Sequence, residues 1–103
     1  MSNVFIFTGR IGNDAEIRYT KDGSAVCSFS VANDIGCGDK KQTQWIRVNI
    51  FGRLAESGLV QYLTKGQEVF VSGELKLNEY ESKDEKLASL EVAANVVNLV
   101  GDM

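Results

Sequence analysis

The segment 45–51, Trp-Ile-Arg-Val-Asn-Ile-Phe, constrains the fold more than any other part of the chain. Successive side chains of an extended strand point to opposite faces. One face of this segment therefore carries Ile46, Val48 and Ile50, a β-branched stripe that predicts burial in a core. The other face carries two large aromatic rings with a cation and an amide between them. These residues are Trp45, Arg47, Asn49 and Phe51.

The aromatic face has two interpretations. A strand that faces water usually carries Thr, Lys, Glu or Ser, because exposed Trp and Phe side chains invite association. Rings interleaved with cations suit a single-stranded nucleic acid, since bases stack on the rings and phosphates contact Arg or Lys. The alternative is that Trp45 and Phe51 cover a second core layer or a subunit interface. The segment alone leaves these two interpretations balanced.

Length and charge limit the number of domains, the location and the partners that this sequence predicts. A chain of 103 residues predicts one domain, which we place at residues 1–101 with 102–103 as terminal residues. No segment approaches the roughly 20 apolar residues of a membrane span, and no signal peptide is evident, so we expect a cytoplasmic protein. The net charge of −3 argues against a polyanionic partner. However, residues 1–55 hold seven basic and five acidic residues, so a local basic surface is compatible with that total.

The chain offers no pattern for metal binding or catalysis. It contains no histidine and only two cysteines, Cys27 and Cys37, without metal-ligand spacing. Cys27 alternates with apolar residues and is expected in the core, whereas Cys37 lies between two glycines in a loop. No carboxylate pair sits in a motif for acid–base chemistry. We therefore expect no metal, no cofactor and no enzymatic activity.

The hydrophobic pattern predicts an all-β chain with one short helix. The expected strands are residues 4–11, 25–32, 44–51, 68–80 and 87–100. Residues 16–20 could continue the first strand, and Gly73 marks a possible bulge in the fourth. Residues 54–64 have apolar side chains at helical spacing and are followed by Lys65 and Gly66, a helix C-terminal signal.

Three strands, a short helix and two strands are the element order of the OB-fold, a five-stranded Greek-key barrel. The face of this barrel around strands 2 and 3 typically binds oligonucleotides or oligosaccharides. The segment 45–51 lies on predicted strand 3, so its aromatic and cationic face falls where that barrel uses one. The order therefore favours the nucleic-acid interpretation of the face.

Three segments, residues 7–19, 44–56 and 62–75, resemble the bacterial-type single-stranded DNA-binding proteins of cells, plasmids and phages. With Asp22-Gly23 and residues 97–101, the resemblance covers nearly the whole chain in order. It implies a protein without catalysis that holds transient single-stranded DNA during replication, recombination and repair. It also implies a homotetramer, or a homodimer, that pairs through the first strand.

The resemblance assigns roles to individual residues. Trp45 and Phe51 match base-stacking aromatics, and Tyr80 stands where the family usually has a Trp. The family's cationic positions that contact the DNA strand are matched by Arg10, Arg47 and Lys76. Asn49 and Asn78 share the faces of these residues and complete the predicted DNA-binding set. For two other charged residues the alternatives stay open: Arg18 could equally pair with Glu16, and Glu74 shares the face of Lys76, where it would oppose DNA unless a bend at Gly73 turns it away.

The chain also departs from the family. The usual Trp at the end of strand 2 is missing from residues 32–35, and the loop at residues 33–41 is short. The family usually continues into a long tail with an acidic, partner-binding tip, whereas this sequence stops at Met103, so the partner functions of that tail are not carried over to it. The main alternative is a protein-interaction module, either an OB barrel of the primosomal replication protein type or an adaptor whose aromatic face contacts a protein.

Overall fold

The structure is a computed structural model that describes residues 3–82 and 85–100, with the side chains of residues 80–88 excluded. Strands occupy most of this range. They are β1 (Phe5–Ile11), β2 (Glu16–Tyr19), β3 (Ala25–Ile35), β4 (Gln42–Phe51), β5 (Glu68–Ser82) and β6 (Glu85–Val100). Two short 3-10 turns, Gly38–Lys40 and Gly58–Tyr62, lie before and after β4. No helix in the described ranges has the length and apolar character needed to cross a membrane.

The strands form one sheet that closes on itself. Their order is β1-β5-β6-β4-β3-β2, and an added β1–β3 pairing joins the two ends. The β4–β6 pair is parallel, and the other pairs are antiparallel. β2 continues the path of β1 along β3, as the sequence suggested for residues 16–20. The predicted five-stranded barrel is therefore confirmed, with β2 as a continuation of its first strand.

The core follows from alternation along the strands. Ile46, Val48 and Ile50 on β4 are each 0% exposed, as predicted. Close packing at the closure of the barrel depends on Gly9 in β1, because a Cβ atom there would overlap the backbone carbonyl of Ala32. Any larger residue would push β3 away from β1 at the point where the barrel closes.

The helix predicted over residues 54–64 is wrong in extent and type. Residues 52–56 form turns with Gly52 at a φ of 66°, and only Gly58–Tyr62 is helical, as a 3-10 turn. Ser57 interrupts the segment, because its hydroxyl donates to the Leu54 carbonyl at 2.7 Å and accepts from the Leu59 amide at 3.3 Å. Such local side-chain bonds compete with helix hydrogen bonds. The segment still packs on the barrel, since Leu63 is only 1% exposed.

The bulge predicted at Gly73 lies in the partner strand. Ser72 is opposite Val96 and Gly73 is opposite Ala94, so the extra residue is Asn95 of β6. The alternation of β5 therefore runs unbroken through Gly73. Its even-numbered residues face outwards over the full length of the barrel, and the assignment of Lys76 and Asn78 to the outer face holds.

The strand ends also differ from the sequence-based bounds. β3 extends to Ile35 and β4 begins at Gln42, which leaves a connection of only residues 36–41. β5 and β6 extend as a long hairpin, and Leu77 on it is 54% exposed because this part of the hairpin projects beyond the barrel core.

Candidate functional site

The aromatic residues of β4 lie on the outer surface of the barrel. Trp45 is 57% exposed and Phe51 is 54% exposed, while Arg47 between them is also exposed. The interpretation in which the two rings fill a second core layer is therefore wrong for the single chain. The β4 outer face presents two open rings on either side of a guanidinium.

Cross-strand register shows which residues share this surface. Side chains of directly paired residues point to the same face of a sheet, and neighbouring strands lie about 4.8 Å apart. Arg10, Ala32 and Trp45 form one row across β1, β3 and β4. A second row crosses four strands and consists of Ser30, Arg47, Glu91 and Lys76. A third row consists of Arg18, Val26 and Phe51.

The indole of Trp45 packs over the connection between β1 and β2. A Cβ atom on Gly12 would lie 2.7 Å from the ring carbon Cη2 of Trp45, which is well inside van der Waals contact. The bare backbone of Gly12 therefore gives the indole a surface to rest on. This contact involves only carbons of the six-membered ring, and more than half of the side chain remains open to solvent.

Asn49 lies midway along the site and is held by hydrogen bonds within the protein. Its Oδ1 atom accepts from the hydroxyl of Ser28 at 2.8 Å, and its Nδ2 atom donates to Oε1 of Glu91 at 3.5 Å. The three side chains cross β3, β4 and β6. Because its amide is engaged on both sides, Asn49 links the aromatic strand to a carboxylate that the sequence did not single out.

Arg10 extends the surface towards the first strand. Its guanidinium donates to the carbonyl of Gly66 at 3.1 Å and lies 4.0 Å from a carboxylate oxygen of Glu68. The Arg10 side chain is 68% exposed, so most of its donors still face solvent. A groove of about 250 Å³ lies beside it, between β1 and the end of β3.

Residues of β5 form the far side of the surface. Lys76 is exposed and lies directly opposite Glu91, and Asn78 is paired with Ser89. The backbone of Tyr80 continues the strand opposite Leu87, while its side chain lies outside the described residues. The structure therefore places Arg10 and the β4 residues together, with Lys76 and Asn78 beyond the intervening strand β6.

Two carboxylates near the ends of this surface accept hydrogen bonds from nearby side chains of the protein. The Thr43 hydroxyl, followed by Lys41, holds the pKa of Asp34 below its ordinary value, and Lys41 lies 3.2 Å from that carboxylate. The Thr20 hydroxyl likewise lowers the pKa of Asp22 in the β2–β3 turn. Lys41 therefore forms an ion pair within the protein.

The predicted DNA-binding set leaves out two charged residues on this surface. Arg18 lies in the row of Phe51 and lines a hollow of about 240 Å³ with Tyr19, Thr20 and Val26. Glu91 stands between Arg47 and Lys76. No local pattern could have identified either residue, because their positions depend on the pairing of distant strands. Among the side chains that the structure describes, no group of His, Cys, Asp or Glu could hold a metal ion.

Comparison with known proteins gives consistent results. Residues 1–100 match the model of the Single-strand binding protein family. The chain is 40% identical to the single-stranded DNA-binding protein of Thermotoga maritima, over 95% of this chain and 73% of that protein. It is 34% identical to the protein of the same name from Neisseria meningitidis serogroup A, over 96% of this chain and 60% of that protein. The protein of that name from Treponema pallidum is 37% identical, over 98% of this chain and 59% of its own length.

The chain thus spans about three fifths of the Neisseria and Treponema relatives. The small single-stranded DNA-binding protein of Streptomyces coelicolor has the same fold, with a TM-score of 0.81 at 18% identity. That match covers 95% of this chain and 94% of the Streptomyces chain, which confirms the OB-fold.

Proposed function

This chain belongs to the Single-strand binding protein family, and we propose that it binds single-stranded DNA on the outer face of β4. The observation that carries the proposal is the pair of open rings, Trp45 and Phe51, on either side of the exposed cation Arg47. A strand that serves only the fold gains no stability from two rings exposed to water. An unpaired nucleic acid can use both, because its bases are free to stack.

The spacing of the residues suggests how the strand is held. At about 3.3 Å per residue, the Cα atoms of Trp45 and Phe51 lie roughly 20 Å apart, so the two rings take different bases. Each stacked base contributes about 1–3 kcal/mol, with little dependence on sequence, since every base has a π-face. Arg47 can pair with a phosphate between those bases or stack on a base through its flat guanidinium.

Further residues complete the proposed contact set. Arg10 shares the row of Trp45, and its exposed donors can reach a phosphate at that end of the surface. Lys76, Asn78 and Tyr80 on β5 extend the set towards the hairpin. Asn49 lies between the rings, and its amide can contact DNA only through the N–H donor and the lone pair that Glu91 and Ser28 leave free. Arg18, across Val26 from Phe51, adds a cation at the opposite end.

We also propose that the chain forms a homo-oligomer, a tetramer or a dimer, through β1. Within the described residues, one edge of β1 pairs with β5 along its length, while β3 occupies the other edge only at Arg10 and Ile11. The remaining edge offers backbone groups to a second copy. Val4 and Ile6 beside it are 67% and 57% exposed, an apolar surface that a partner strand would cover.

The oligomer has a direct test. Ile6→Asp places a charge on the proposed interface and should lower the mass measured by light scattering after size-exclusion chromatography. Tyr19→Asp is a matched control, because Tyr19 is 66% exposed on β2, away from β1. Equal masses for the wild type and both variants would contradict pairing through β1.

The biological role follows from the binding proposal. A protein that covers unpaired bases without catalysis would protect transient single strands in replication, recombination and repair. We place it in the cytoplasm, as is typical of the family. The proposed DNA-binding domain comprises residues 1–101 of this sequence.

Strand selectivity tests the function. Fluorescence anisotropy should show tight binding of labelled oligo-dT and of a mixed-sequence single strand, with affinities within a few-fold of each other. The same mixed sequence as a duplex should bind far more weakly, since its bases are already stacked. Comparable binding of the duplex would point to general electrostatic attraction, and no binding of either would favour a protein partner for the aromatic face.

Arg47→Gln tests the phosphate contact. For single strands, the logarithm of affinity falls against the logarithm of salt with a slope of about −0.7 per neutralised phosphate. Loss of Arg47 should make that slope shallower by about 0.7 as well as weakening binding. Weaker binding with an unchanged slope would assign Arg47 to base stacking and not to a phosphate.

A further inference from the structure

We propose that Glu91 is an internal competitor of the DNA backbone, a carboxylate that occupies the space between the two phosphate-binding cations Arg47 and Lys76. The inference rests on the proposed function and adds a determinant of affinity to the same surface. It predicts that the native surface binds single strands less tightly than its cations allow.

The placement of Glu91 follows from register on both sides of β6. Glu91 is paired with Arg47 across the parallel β4–β6 ladder and with Lys76 across the antiparallel β5–β6 ladder. Its neighbours Leu90 and Val92 pair with the inward-facing Ile46 and Val48, so Glu91 faces outwards. The Cα atom of Glu91 therefore lies one strand spacing, about 4.8 Å, from those of Arg47 and Lys76.

A hydrogen bond orients the Glu91 carboxylate, but no ion pair with a described side chain balances its charge. The amide of Asn49 donates to its Oε1 atom at 3.5 Å, and Asn49 is itself held by Ser28 at 2.8 Å. The ion pairs among the described side chains are Arg10–Glu68 and Lys41–Asp34, so neither Arg47 nor Lys76 is closed onto this carboxylate. Both cations remain available to a ligand, with a fixed negative charge between them.

A phosphate that approaches Arg47 or Lys76 must therefore share the cation with Glu91 and lie near its charge. Were a bound phosphate to lie one strand spacing, about 5 Å, from the Glu91 carboxylate, in surroundings between water and the protein surface, the repulsion would weaken binding by about 4- to 15-fold at low salt. The effect declines as salt screens the charges, with a Debye length of about 8 Å at physiological ionic strength. Removing the charge should restore that affinity.

Glu91→Gln is the decisive variant, because glutamine keeps an oxygen acceptor for Asn49 and removes only the charge. Glu79→Gln is its matched control. Glu79 is exposed on β5, but it shares the face of Leu77, on the opposite side of the strand from Lys76. Both substitutions change the net charge of the chain equally, so they separate a local effect from a global one.

Anisotropy titrations of oligo-dT at low and physiological salt give the readout. Glu91→Gln should bind about 4- to 15-fold more tightly at low salt, with a slope steeper by up to about 0.7, whereas Glu79→Gln should gain less than about twofold. The gain should shrink in an Arg47→Gln background, because one of the contested cations is then absent. Thermal unfolding of each variant verifies the fold.

Unchanged or weaker binding by Glu91→Gln would overturn the proposal, and so would an equal gain in Glu79→Gln. These outcomes differ from failure of the proposed function, in which the wild type itself shows no preference for single strands. If the wild type binds single strands and Glu91→Gln gains nothing, the function stands and the competitor role falls.

Discussion

Replacement of Phe51 by alanine tests the stacking assignment without removing the fluorescent residue Trp45. Phe51 is 54% exposed, so a little under half of its side chain contributes to packing. Full burial of a Phe side chain stabilises a protein by about 1.5–3 kcal/mol, so the truncation should cost about 1 kcal/mol of folding stability. The variant should therefore remain folded.

The expected loss of affinity is larger than the loss of stability. Loss of one stacked base removes about 1–3 kcal/mol, which corresponds to a dissociation constant about 5- to 150-fold higher. A short oligo-dT, about 12 nucleotides, keeps the measurement close to one binding site. Long strands would let several subunits engage one molecule and hide the loss through avidity.

Tyr62→Ala is the matched control for Phe51→Ala. Tyr62 is 55% exposed, so its truncation removes an aromatic ring of similar burial, but it lies on the 3-10 turn after β4 and outside the proposed surface. Anisotropy should show a large loss for Phe51→Ala and a change below about twofold for Tyr62→Ala. Equal affinities for the two variants would refute the assignment of Phe51 as a stacking platform.

Two further predictions follow from local contacts. Gly12→Ala should displace the Trp45 indole, which shifts its emission maximum and weakens binding of single strands, while Gly58→Ala, which has room for a Cβ atom, should leave the emission unchanged. An unchanged spectrum for Gly12→Ala would show that the indole does not rest on that glycine. Burial raises the pKa of the Cys27 thiol, so at pH 8 it remains protonated, whereas Cys37 is exposed. A thiol reagent should therefore modify one cysteine in the native protein and two after denaturation; two fast equivalents in the native state would contradict the burial of Cys27.

The β4 strand shows how much could be predicted from the sequence. Its alternation identified the buried stripe and the exposed rings, because a single strand with period-two chemistry reveals both of its faces. The same logic placed Lys76 and Asn78 on the outer face of β5. Barrel architecture followed from the order of the strands and the single short segment between β4 and β5.

The segment between β4 and β5 shows where the sequence was insufficient. The spacing of Leu54, Leu59 and Leu63 matches a helix, but Ser57 and the left-handed backbone of Gly52 divide it into turns. The helical spacing of apolar residues indicates which side chains face the core, but it does not reveal local side-chain hydrogen bonds that compete with the helix.

The residues that lie next to each other on adjacent strands could not be predicted from the sequence, for a different reason. Glu91 meets Arg47 and Lys76 only because β6 lies between β4 and β5 in the sheet, and Arg18 reaches the row of Phe51 only through β3. Register depends on the closure of the whole barrel. The electrostatic character of the site therefore emerges only from the folded chain.

Quenching of intrinsic fluorescence by poly-dT gives the most direct test of the account, because Trp45 is the only tryptophan in the chain. If bases stack on the open indole, emission should fall strongly and saturably as the polymer is added, and sodium chloride should reverse the change. If anisotropy shows that the polymer is bound while the emission of Trp45 is unaltered, unpaired bases do not use this ring and the proposed surface is wrong.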